Sequence, residues 1–194
     1  MRLFVAAYPP DAALDHLGER IAALHVGTAV AAGVNTRVAS RALWHVTLAF
    51  LGEVAEERRD VAVRAVESAA AVDIPGPTLR LAGGGTFGRG RFTTMWVGVG
   101  GDVAGLQSLA GTVRAELRRA RLPFDRKPFR AHLTLARPGA RLPRPDIVDD
   151  VASLAAYAGP EWTLTTIALV ESHLGPKPRH EVVASANLAT TSQT

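Results

Sequence analysis

The chain has no cysteine. Disulfides, thiolate zinc sites and a cysteine nucleophile are therefore excluded. The lack fits a reducing cytoplasm, although a chain without thiols is stable in any compartment. It also lacks any apolar run of about 18 residues, so no segment reads as a membrane span. At the N-terminus, Pro9, Pro10 and Asp11 cut a short apolar run, which reads as a first strand rather than a signal peptide. No block of like charge stands out; the densest, 118–121, reads as a solvated helix end. The glycine-rich stretch 83–91 ends in no Gly-Lys-Ser/Thr and leads into no helix. It is read as a hairpin loop, not a nucleotide cradle.

What is present is a globular composition of 194 residues, 47% apolar and 21% charged. That length suits one domain, or two small lobes sharing a core. The net charge of +4 favours polyanionic partners such as RNA, but modestly. An arginine-rich chain gains a high pI with no partner at all.

Hydrophobic spacing predicts strands at 2–8, 43–51, 78–82, 93–99, 129–136, 163–172 and 180–188. It predicts helices at 11–25, 55–72, 102–121 and 146–158. Residues 26–41 read as a loop with a short strand near Thr36-Arg37-Val38, and the tail 190–194 as frayed. Residues 2–82 and 93–172 then show the same order of strand, helix, strand, helix, strand. The fold class expected is α+β: two pseudo-symmetric lobes of mostly antiparallel sheet with flanking helices, forming one domain over 1–194.

One phrase occurs twice, as His45-Val46-Thr47-Leu48 and as His132-Leu133-Thr134-Leu135, 87 residues apart. A single His-x-Thr triplet is common; two, each followed by Leu in a β-prone run, are not. On a strand, His and Thr two apart share a face, and the apolar residues between them share the other. Facing copies would give a cleft with two imidazoles and two hydroxyls. One neutral imidazole can take a proton from water while the other, protonated, gives one to a leaving oxygen. Thr47 and Thr134 would donate to phosphoryl oxygens as charge builds there. Five residues past each histidine stand Phe50 and Arg137. A cation in one copy and a ring in the other suit a nucleotide. An odd offset puts both on the wrong face of a regular strand, so Arg137 needs a bend to reach the cleft. His16 and His25 read as surface residues, and His173 and His180 flank the last turn, from which they could rim the cleft.

With these motifs, the chain resembles the two-histidine phosphoesterase superfamily, and within it the RNA 2',3'-cyclic phosphodiesterases, also called 2'-5' RNA ligases. The likeness extends to Arg2-Leu3-Phe4-Val5-Ala6, to Phe50-Leu51-Gly52, to Phe129-Arg130-Ala131 and to Glu171-Ser172-His173-Leu174-Gly175. Ala131 stands where the family usually has Pro, and His180 where Tyr is common; neither is expected to touch the chemistry. The resemblance implies a bilobal fold with the cleft between the lobes. It implies hydrolysis of an RNA terminal 2',3'-cyclic phosphate to a 2'-phosphate, with reversible 2'-5' ligation. His45 would be the proton donor and His132 the proton acceptor, with Thr47, Thr134, Arg137 and Phe50 binding substrate. No metal, cofactor or membrane is implied. The partner is RNA with cyclic-phosphate ends, and a cytoplasmic monomer is expected. Three alternatives stay open: a relative acting on another cyclic phosphate or a 2'-5' oligonucleotide, a non-catalytic RNA-binding module, and a metal site on His45 and His132.

Overall fold

The computed structural model describes residues 1–189; the tail expected to fray lies outside them. Eight strands form one sheet, each paired with its neighbours in antiparallel fashion. They are β1 (Arg2–Ala7), β2 (Val46–Glu53), β3 (Thr78–Phe87), β4 (Thr94–Gly101), β5 (His132–Ala136), β6 (Ala158–Thr163), β7 (Thr166–His173) and β8 (Arg179–Asn187). The helices are α1 (Asp11–Ala22), α2 (His25–Ala31), α3 (Arg59–Ala70), α4 (Val103–Arg119) and α5 (Arg144–Ala155). The α+β class and the antiparallel pairing agree with expectation.

The strand order is β6-β3-β4-β5-β2-β1-β7-β8. The two histidine strands are thus central neighbours, and each half of the sheet fans out from one of them. The halves are not continuous in sequence. β3, which follows the first motif, joins the half built on β5, and β7 joins the half built on β2. A single register pair, Val46 with Leu133, joins the halves.

One face of the sheet packs on the helices. Leu3, Val5, Val46, Leu48, Leu133 and Leu135 meet Leu17, Val66, Leu109 and Leu117 there in one buried cluster. Each fully buried Leu contributes about 2 kcal/mol by area removed from water. On the other face, Phe4, Ala6, Ala168 and Val170 form a small second cluster, flanked by Tyr8 and Phe50. β1 is buried on both faces, which is why its sequence is a continuous apolar run rather than an alternation.

Four expectations are corrected. Residues 25–31 form α2 rather than loop. No residue near them in sequence caps this helix; Asp150 of α5 does, accepting from the backbone N–H groups of His25 at 2.7 Å and Val26 at 2.9 Å. The glycines 83–85, read as loop, lie inside β3. A Cβ on Gly85 would sit 2.5 Å from the Trp96 ring, so the glycine lets that ring lie flat on the strand. Residues 158–163 form a strand of their own, where a helix was expected to end at 158 and a strand to begin at 163. β6 is an edge strand, where Pro160 removes no ladder bond. Finally, both histidine strands start later than predicted, at the motif itself.

Candidate active site

Antiparallel register assembles the site. With Val46 opposite Leu133, one step either way sets Thr47 against His132 and His45 against Thr134. Both hydroxyls and both imidazoles therefore meet at the seam of the sheet, on the face away from the helices.

Each imidazole is held in the same way. His45 Nδ1 lies 2.7 Å from the carbonyl oxygen of Leu43, and His132 Nδ1 lies 2.6 Å from that of Arg130. A carbonyl only accepts, so each Nδ1 carries the proton and donates it. Each Nε2 of the neutral ring is left with its lone pair. Thr47 Oγ1, 3.1 Å from His45 Nε2, donates its hydroxyl to that lone pair.

The surroundings differ. Around His45 stand Phe4 at 4.7 Å and Tyr8 at 6.1 Å between ring centroids. Burial pushes the His45 pKa down from 6.5 to about 4, and His180 and His132 push it the same way by charge repulsion. Burial also raises the Tyr8 pKa. His132 meets Phe87 edge-on at 4.9 Å, and Phe87 stacks on Trp96 at 5.2 Å.

Phe50 reaches the cleft because β2 carries an extra residue. Ala6 pairs with Thr47 and Val5 with Ala49, so Leu48 is bulged and the alternation shifts by one. The second motif repeats the device. Trp96 pairs with Thr134 and Met95 with Ala136, leaving Leu135 as the extra residue. This is the bend that Arg137 needed. Thr47, Phe50, Phe87, Phe129, Arg130 and His132 line a cavity of about 570 Å³. Arg137 lies beyond the other end of the motif pair and lines a different cavity.

Two residues beside the motif histidines were not among the substrate-binding or catalytic residues expected from the sequence. His180 of β8 lies edge-on to His45 at 5.0 Å and to Phe4 at 4.9 Å, so it stands in the wall around His45. Its Nδ1 is buried without a hydrogen-bond partner among the described residues, and burial lowers its pKa. The only signal was its place where the resembled family has Tyr. Phe87 was hidden in the glycine-rich stretch. The other histidines are elsewhere: His16 contacts the Tyr157 hydroxyl, His25 contacts Asp150, and His173 lies beside Glu181. Among the described residues, no three His, Asp or Glu side chains are grouped to hold a metal ion.

Residues 9–176 match the 2'-5' RNA ligase superfamily. The chain belongs to that superfamily. Among its relatives is an RNA 2',3'-cyclic phosphodiesterase of Thermus thermophilus, 31% identical over 183 residues, 91% of this chain and 84% of that one. A Geobacillus stearothermophilus protein of the same name is 32% identical over 146 residues, 73% of this chain and 44% of that one. The chain thus spans less than two thirds of the length of several curated relatives it matches. The crystal structure of TT0787 of Thermus thermophilus superposes with a TM-score of 0.76, at 27% identity, over 98% of this chain and all of that one. This superfamily member has no described helix long and apolar enough to cross a membrane.

Proposed function

We propose that this chain is an RNA 2',3'-cyclic phosphodiesterase that hydrolyses the terminal cyclic phosphate to a 2'-phosphate. The observation that carries the reading is the Val46–Leu133 register, which sets each motif histidine against the other motif's threonine. The names of the relatives support the substrate.

The phosphate sits over the seam. Water attacks phosphorus, the bond to the 3' oxygen breaks, and the 2' ester remains. His132 Nε2 takes the proton of the water, and His45 Nε2 gives one to the departing 3' oxygen. Burial holds the His45 pKa near 4, so the ring by itself is neutral at pH 7. Its proton therefore arrives with the substrate, whose negative charge favours the imidazolium. Protonation of Nε2 also frees the Thr47 hydroxyl, which then donates to a phosphoryl oxygen. Thr134 does the same from the facing strand. Neither imidazole needs a metal for this exchange. A 5'-hydroxyl in place of water runs the same steps to a 2'-5' linkage.

The cavity beside His132 takes the terminal nucleoside. Phe50, Phe87 and Phe129 line it with aromatic surface for the base, and Arg130, 5.3 Å above the Phe87 ring, adds charge at the rim. Both motifs lie on one chain, so a monomer holds the whole site.

The test is turnover of a short RNA ending in a 2',3'-cyclic phosphate, with EDTA present, for wild type, His45→Ala and His132→Ala. A 2'-phosphate product that disappears in each variant supports the assignment. Turnover indifferent to both substitutions, or none in wild type, removes it.

A further inference from the structure

The second cavity is built where β2 and β5 part. Beyond the seam, residues 37–39 take the place of β2 along the end of β5. Val38 bridges Ala136, the Ala39 N–H donates to the Leu135 carbonyl at 2.7 Å, and the Arg137 N–H donates to the Arg37 carbonyl at 3.2 Å. The turn Gly90–Phe92 packs on the turn Gly139–Arg141. These three segments surround about 580 Å³ lined by four arginines, Arg37, Arg91, Arg137 and Arg141, with one aromatic ring, Phe92.

No acidic residue lines this cavity. Among the described residues, the arginine ion pairs use Arg41, Arg80, Arg119 and Arg179, and none of the cavity's four. A guanidinium cannot shed its proton at ordinary pH. Four fixed positive charges around one space repel one another, and an anion entering from outside relieves the repulsion. The ring adds a second kind of contact. Phe92 is 70% exposed, with the Arg91 guanidinium 4.8 Å above its centroid. Guanidinium groups beside an exposed ring form a platform for single-stranded nucleic acid, where phosphates meet the charges and a base stacks.

The position selects which part of a strand would bind. Five residues of extended chain separate Arg137 from His132, about 15 Å at the rise of a strand. Phosphates in this cavity are therefore not the one reacting at the seam, but lie a few nucleotides away. The bulge at Leu135 turns Arg137 toward the face that carries the histidines. We propose that the four-arginine cavity holds the sugar–phosphate backbone of the same RNA strand whose cyclic end lies over the seam, with a base stacked on Phe92. This rests on the phosphodiesterase reading above, and makes the enzyme selective for a polynucleotide over a mononucleotide.

The test is the double variant Arg91→Gln with Arg141→Gln; both side chains are exposed and neither belongs to the proton-transfer site. Turnover is compared on an RNA oligonucleotide with a 2',3'-cyclic phosphate and on a mononucleoside 2',3'-cyclic phosphate. The expected result is a fall of about tenfold in kcat/KM on the oligonucleotide at low salt, with the mononucleotide unchanged. A second arm needs no catalysis. Binding of an RNA oligonucleotide ending in a 3'-phosphate is followed by fluorescence anisotropy across salt concentrations. The slope of log K against log salt should become shallower by about 0.7 for each arginine removed. Equal losses on both substrates, or an unchanged slope, overturn the proposal. If wild type turns over neither substrate, the phosphodiesterase reading fails, and the slope still decides whether the cavity binds RNA.

Discussion

His45 is enclosed by Phe4, Tyr8 and His180, whereas His132 stands against Phe87 and opens to a cavity of about 570 Å³. The two residues begin the same motif, donate Nδ1–H to the same kind of carbonyl, and face each other's threonine. Their differences come from strands distant in sequence. β1 and β8 supply the wall around His45, and β3 and β4 the wall beside His132. The motif thus sets the tautomer, while the neighbours set how hard His45 is to charge. One triplet thus sits in two different surroundings, which is what the proposed division into an acid and a base rests on.

The largest effect should come from removing the pair itself. His45→Ala and His132→Ala should each lower kcat by about 10³-fold, within the span of general acid–base catalysis. The double variant should be little worse than either single one, because the two act as a unit. Multiplicative losses, measured by single-turnover rates, would break the pairing.

Next comes stability against pH. Burial holds the folded His45 pKa near 4, below the 6.5 of an unfolded chain. The unfolded state then binds the proton more readily, so stability present above pH 6.5 is lost as pH falls towards 4. The loss should be about 3 kcal/mol, the free energy of a shift from 6.5 to about 4. Urea unfolding at several pH values should show this slope in wild type and a shallower one in His45→Phe. Equal slopes would mean that His45 is not the buried partner of the pair.

A smaller effect separates the two walls. Gly85→Val puts a Cβ 2.5 Å from the Trp96 ring, and should cost about 2 kcal/mol of stability through overpacking. It should also lower kcat/KM by moving the wall beside His132, and leave the acid limb near pH 4 in place. The smallest effect should follow His180→Phe. Removing that imidazole lifts one repulsion from His45, so the acid limb of kcat/KM moves to higher pH. An unmoved limb would confine His180 to packing.

The motif strands were legible in the sequence because their information is local. A histidine and a threonine two apart, above apolar partners, announce a two-faced strand without further help. Helix α2 was not legible, since the group that satisfies its first N–H groups is Asp150, more than a hundred residues away. β6 was not legible because it is an edge strand with little burial on either face, and so leaves no alternation to read. His180 could be placed beside His45 only once β8 was known to lie on β7 and β7 on β1. Arg137 shows a partial success. The odd offset asked for a distortion before Arg137 could reach the cleft; one extra leucine is there, yet Arg137 lines another cavity. A phosphate contact at the reacting centre is less well served, because Arg137 stands with three other arginines at the far end of β5.

The bulges at Leu48 and Leu135 also make the chain modular to mutation. Everything before each bulge keeps its orientation if that leucine is deleted, and everything after it changes sides. Loss of one codon would thus turn Phe50 or Arg137 to the other side of the sheet while His and Thr stay in register. The side chains that line the two cavities can in this way change by insertion and deletion, independently of the His and Thr pairs a few residues upstream.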